Sequence, residues 1–94
     1  MITSAIIANL FLIMDWGQTR YIANHEQYTE NNAILGKHPS TQSIDKYFMT
    51  TIALTNGIAY YIPDKYQNNW YITVGTLEGL TVIHNKSIGI GMRF

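Results

Sequence analysis

Two acids surrounded by apolar neighbours are the residues with the clearest chemical potential. Asp15 follows the charge-free run of residues 1–14, and Glu78 is the only charged residue between 66 and 85. A carboxyl group held away from water is either paired or neutral, because desolvation disfavours its charged form. Such a group carries protons or acts as a general acid when a reacting group stands beside it. Its neighbours here suggest something plainer. Asp15, Gln18 and Thr19 share one helical face at i, i+3 and i+4, and Glu78, Thr81 and Asn85 share another at i, i+3 and i+7. Two such faces hydrogen-bond to each other across helices. That use, holding a bundle together, outranks a catalytic or transport role, and Asn9 and Asn56 fit it as well.

The remaining chemistry is thinner. His25, Glu30 and His38 lie in one polar stretch and His84 follows much later, without an HExxH, an H-x₃₋₅-H or a cysteine pair, so no metal site is assigned. No Gly-x-Ser-x-Gly elbow accompanies Ser4, Ser40, Ser43 or Ser87, which have capping or tail roles, so no catalytic residue and no cofactor are assigned. Gly89-Ile90-Gly91 lacks the rest of a phosphate fingerprint. Tyr66, Trp70 and Tyr71 have the rings to stack bases, but six Lys+Arg balance six Asp+Glu and leave no basic groove, which argues against nucleic acid. The absence of cysteine excludes a disulfide scaffold and a thiolate site.

The elements that position these residues follow from the distribution of charge. The 94 residues make one domain, and 13% of them are charged, against a norm of about 25%. Three gaps account for the deficit: residues 1–14, residues 47–63 and residues 66–85, the last broken only by Glu78. Each approaches the length of about 20 residues that crosses a bilayer. The chain therefore reads as an all-α membrane protein with about three transmembrane helices, over about 2–22, 43–62 and 66–85. A polar loop at 23–42 joins the first two, and a short extended tail closes the chain at 86–94.

Local signals mark the boundaries. The first helix lacks a basic leader and a cleavage site and reads as retained, with Trp16, Arg20 and Tyr21 at a headgroup interface. In the loop, residues 31–40 suggest a short helical turn closed by Gly36, and Ser40-Thr41-Gln42-Ser43 is a capping cluster for the second helix, which Pro63-Asp64 stops. Gly75 and Gly79 give the third helix the small-xxx-small spacing that lets helices approach closely. Beyond it Ile88, Ile90, Met92 and Phe94 alternate with Gly89, Gly91 and Arg93, a strand period expected at a membrane surface or against a partner. With three spans, Arg20, Lys37, Lys46, Lys86 and Arg93 fall on one side and Lys65 on the other, which places the long loop and the tail in the cytoplasm.

The polar residues also form a longer pattern. Asp15-x-x-Gln18-Thr19, then Glu30-Asn31-x-x-Ile34-Leu35-Gly36-x-His38-Pro39-Ser40, then Tyr47-Phe48, the Ala59-Tyr60-x-Ile62-Pro63 turn, Trp70, Glu78, Asn85 and Ile88-Gly89 resemble a family of small uncharacterised proteins of bacteriophages and prophages. The likeness covers nearly the whole chain, and its most specific part is the block from Glu30 to Ser40. The family often carries Pro where Ala33 stands here, so the turn after Asn32 is less rigidly specified in this chain. The resemblance implies a phage or prophage origin and a location in the bacterial inner membrane; it implies no reaction.

The expectation for function is a protein that binds and modulates a host or phage membrane protein, or associates with copies of itself, as in superinfection exclusion, envelope modification or lysis control. Glu30, Asn31, His38 and Pro39 are the candidate partner-binding residues of the loop, since polar loop residues are available to a partner as helix-buried acids are not. Two alternatives stand beside it. One is an intramembrane enzyme or ion pathway using Asp15 and Glu78; the other is a soluble helical interaction module.

Overall fold

Each helix boundary has a local chemical cause. The computed structural model describes residues 2–25 and 40–94, which form α1 (Ile2–Ala23), α2 (Thr41–Tyr61) and α3 (Asp64–Ser87). The partner loop carrying Glu30, Asn31, His38 and Pro39, and the turn expected at Gly36, lie outside the described residues. Ser40 caps α2: its side-chain oxygen accepts the Ser43 backbone N–H at 3.1 Å, satisfying a donor that the first turn leaves without an intrahelical partner. Ile62 adopts φ −78° and ψ 141°, the extended conformation that a following proline imposes, so α2 ends there. Pro63 then precedes α3, whose first turn carries Asp64 and whose last turn carries His84 and Lys86, each sign favoured at its end of the helix dipole.

α1 is the partner of both other helices. It meets α3 through Ser4 with Asn68, Ala8 with Gly75 and Gln18 with Asn85, so these two helices run parallel. It meets α2 through Asn9 with Asn56 and Arg20 with Asp45, so α2 runs the opposite way. The result is an up-down-up bundle, 44 Å long and 25 by 21 Å across. Its apolar core is small. Ala8, Ala59 and Tyr71 form one cluster backed by Ala5, Trp70 and Val74, while Leu12, Ile22, Ile44, Phe48 and Val82 are buried along the rest of the seam. Gly75 and Gly79 are buried where α3 faces Ala8 and Phe11, close enough that a Cβ on Gly79 would come within 3.1 Å of the Phe11 ring.

The expectation of three transmembrane helices is corrected by this structure. Among the described residues no helix is long and apolar enough to cross a membrane. The physical reason is that lack of charge is not hydrophobicity. In α3 the charge-poor run contains Gln67, Asn68, Asn69, Thr73, Thr76, Thr81, His84 and Asn85, each of which costs free energy in hydrocarbon. In α1 the apolar half stops at Met14, and Asp15, Gly17, Gln18, Thr19 and Arg20 follow. The assignment of sides from Lys and Arg loses its premise along with the spans.

The last segment also departs from its expected form. α3 closes in a glycine-terminated cap: the Gly89 N–H donates to the Lys86 carbonyl at 3.1 Å, and the Ile90 N–H to the Asn85 carbonyl at 3.0 Å. Gly89 takes φ 92°, a left-handed conformation that costs glycine little and other residues more. No strand follows among the described residues. Of the four alternating apolar residues only Ile90 is buried, because the segment crosses α1 instead of lying on a sheet. The Arg93 N–H donates to the Gly17 carbonyl at 2.9 Å.

Candidate functional site

A set of polar side chains from the three helices meets between them and forms a spine along the bundle. In its first layer, Asn9 and Asn56 exchange carboxamide hydrogen bonds, at 3.1 Å from Asn9 Nδ2 and 2.8 Å from Asn56 Nδ2. Each amide nitrogen gives a further bond to its own helix, to the carbonyls of Ala5 and Ile52. The Tyr71 hydroxyl donates to Asn56 Oδ1 at 2.8 Å, and Trp70 Nε1 donates to the Thr55 carbonyl at 2.9 Å. All three helices meet here with every amide donor used, and a fully satisfied network of this kind specifies which residues face one another.

Further along α1, the same logic joins Gln18 to α3. Gln18 is 2% exposed; its Nε2 donates to the Val82 carbonyl and its Oε1 accepts from Asn85 Nδ2, both at 3.0 Å. On the α2 side Trp16 Nε1 donates to Asp45 Oδ1 at 2.8 Å, and Arg20 Nη1 pairs with the same carboxylate at 3.2 Å. Trp16 also stacks on Phe48, with ring centroids 6.1 Å apart and planes 7° from parallel.

Asp15 and Glu78 lie between these layers and face each other from α1 and α3. Thr19 Oγ1 donates to Asp15 Oδ1 at 3.3 Å, while Glu78 Oε2 is buried without a hydrogen-bond partner among the described residues. Burial pushes the Glu78 carboxyl up to about 9, with the hydrogen bond to Asp15 and the Asp15 charge adding in the same direction. Two carboxylates have no donor between them. A proton on Glu78 supplies one, and the neutral acid then donates to Asp15. As placed, the chemistry of the pair is a proton held across the α1–α3 seam.

The structure thus brings Asp15 to Glu78, Gln18 to Asn85 and Thr19 to Asp15. It leaves Thr81 outside: that residue is exposed and bonds its own helix at the Leu77 carbonyl, and Val82, one position on, supplies the inward group. His25 contacts the Tyr21 carbonyl at 2.8 Å and stacks on the Tyr21 ring, and His84 is exposed; among the described residues no three His, Asp or Glu side chains gather as a metal site. Trp16 and Arg20 turn to Asp45 and away from the interface role expected of them. Their i, i+4 spacing, which puts both on one face, was the available signal for a shared acceptor. The hydroxyl role of Tyr71 left no mark in the sequence, since periodicity does not reveal which end of a tyrosine is used.

Outside the spine many large apolar side chains are exposed. Ile6, Leu10, Met49, Leu54, Leu77, Leu80 and Ile83 are each at least half exposed. Between α1 and α3 lies an open cleft of about 360 Å³, bordered by Ile7, Phe11, Ile72, Leu80 and Ile83 with Gly75 and Gly79 at its base and no charged residue on its walls. No protein-family model, no curated protein and no solved structure matches this chain.

Proposed function

We propose that this protein is a non-enzymatic binding protein that attaches to and modulates a membrane protein of a host cell or phage. One observation carries the reading: beside a small apolar seam and a buried polar spine, the bundle leaves many large apolar side chains exposed on all three helices. The exposed Ile, Leu and Met residues occupy all three helices within stretches free of charged side chains, apart from the inward-facing Asp15 and Glu78. Clustered exposed apolar side chains on a folded protein mark interaction sites. Covering such a side chain is worth about 1.5–3 kcal/mol when it becomes fully buried, so a few of them offset the cost of association. A partner whose own surface is apolar and uncharged suits these faces, as the side of a membrane protein does. A phage or prophage origin and an inner-membrane location belong to the same proposal and rest on the motif resemblance from Asp15 to Gly89.

Photo-crosslinking in the expressing cell tests the reading. A photoreactive residue at Leu80 or Leu54 should give one discrete adduct of stoichiometric yield in the membrane fraction, and the same residue at Lys65 should give none. Leu80→Lys should abolish the Leu54 adduct or weaken it severely while leaving the helical circular dichroism unchanged. A monomer that forms no adduct at either position, released completely by alkaline carbonate, would overturn the proposal in favour of a soluble helical module.

A further inference from the structure

The segment after α3 is seated on a surface built to receive it. Where it crosses α1, the floor is Gly17, which is buried, and a Cβ at that position would overlap the Phe94 ring. The Gly17 carbonyl accepts the Arg93 N–H at 2.9 Å, an acceptance beyond the helix's own bonding pattern. One turn on, the Tyr21 ring lies so close to Gly91 that a side chain there would meet it at 3.2 Å. Ile90 is the anchor, 5% exposed. A glycine floor, a main-chain acceptor, an aromatic wall and one buried anchor together describe a seat for an extended peptide of defined pattern.

The hold on that peptide is light. Ile88, Met92 and Phe94 are 49%, 51% and 70% exposed, and among the described residues the buried Ile90 side chain and the Arg93–Gly17 main-chain bond hold the segment across α1. The connection to α3 passes through Gly89 at φ 92°, a residue able to take other conformations without steric cost. Segments that bury little apolar surface open at free energies well below that of global unfolding. An element that docks on its own chain through a short hinge docks equally on a second copy, because the same groups meet the same seat there.

We propose that residues 88–94 form an exchangeable strap, and that the Gly17–Tyr21 seat on α1 accepts the same segment from a second copy of this chain. The occupant is specified by its chemistry: an apolar anchor at the position of Ile90, a residue without a side chain facing Tyr21, a main-chain N–H opposite the Gly17 carbonyl, and an aromatic ring over Gly17. Exchange of this kind links copies through their ends and leaves the three-helix core intact.

A fluorescent synthetic peptide of residues 87–94, titrated against the full chain, tests this. The Ile90→Ala chain, whose own strap has lost its buried anchor, should bind the peptide at least about tenfold more tightly than the unaltered chain, where the resident strap competes. The Gly17→Ala chain should lose binding of the native peptide and recover it for a peptide carrying Phe94→Ala, since removal of the ring makes room for the methyl group. A peptide carrying Arg93→Pro lacks the N–H and should bind none of the chains; being a change in the peptide, it tests the seat even where a chain variant folds poorly. Equal binding of the Arg93→Pro and native peptides would reduce the effect to unspecific apolar adhesion and overturn the proposal. So would equal affinity of the Ile90→Ala and unaltered chains, or failure of every chain to bind while circular dichroism shows them helical.

Discussion

At Asn9, Asn56 and Tyr71 each donor finds an acceptor, whereas two turns along α1 Asp15 and Glu78 bring acceptors together and need a proton to bond at all. The two layers sit on the same helices and cross the same kind of seam. Carboxamides carry donor and acceptor on one side chain, so a pair of them is complete at any pH. Carboxyls carry a donor only when protonated, so their layer depends on solution conditions. The spine therefore combines a permanent tie with a conditional one, and the substitutions that separate them should differ in both size and pH response.

The largest effect is expected at the permanent tie. Asn56→Leu removes the acceptor of Tyr71 and the partner of Asn9 together, leaving buried polar groups unsatisfied at a cost of about 2–4 kcal/mol, read as a lower midpoint in urea denaturation at any pH. A loss below about 0.5 kcal/mol would mean that the layer is reached by water and ties nothing.

At the salt-bridged corner the cost is intermediate. Asp45→Ala deprives Trp16 and Arg20 of their common acceptor, and since both partners are only partly buried the expected loss is about 1 kcal/mol. Raising the salt concentration should recover little of it if the Trp16 hydrogen bond dominates, and most of it if the ion pair does.

The third effect is small near pH 5 and grows with pH, which makes it the most diagnostic in form. Glu78 has a folded-state pKa of about 9 against 4.5 in the unfolded chain, so between these values the folded state holds a proton that the unfolded state has released. Stability from this group is fully present below about pH 4.5, declines as pH rises through the window, and is gone above about pH 9. Glu78→Gln supplies the donor permanently. It should leave stability at about pH 5 nearly unchanged and flatten the decline from there to about pH 9, measured as denaturation midpoints across that range. An unaltered chain whose midpoint is already flat would show that Glu78 is charged and solvated in the folded state.

The helices were legible in the sequence because their signals are local. Ser40 as a cap and Pro63 as a stop act within a few residues, and each helix begins and ends within two residues of the expected position; the cap at Gly89 was not legible, because the alternation of residues 88–94 reads as a strand. Asp15, Gln18 and Asn85 were legible as inward groups for a related reason: a polar residue at helical spacing among apolar ones must be satisfied somewhere. Their partners were not. A face defined by i, i+3 and i+4 has a width, and whether Thr81 or Val82 lies at its inner edge depends on the rotation of α3 about its own axis, which packing against Ala8 and Phe11 decides. The transmembrane reading erred for a different reason, treating the absence of Lys, Arg, Asp and Glu as hydrophobicity when Asn, Gln and Thr had taken their places.

The three helices, the Ser40 cap, the scarcity of charge and most of the polar residues that needed partners were set by the sequence alone, because each depends on neighbours within a turn or two along the chain. Only the tertiary structure decided that α1 and α3 run parallel with Asp15 against Glu78, that Trp16 and Arg20 share Asp45, and that the last segment folds back over Gly17. Those facts rest on contacts between residues distant in the chain, where the angle of one helix against another selects among pairings that local spacing leaves equally open.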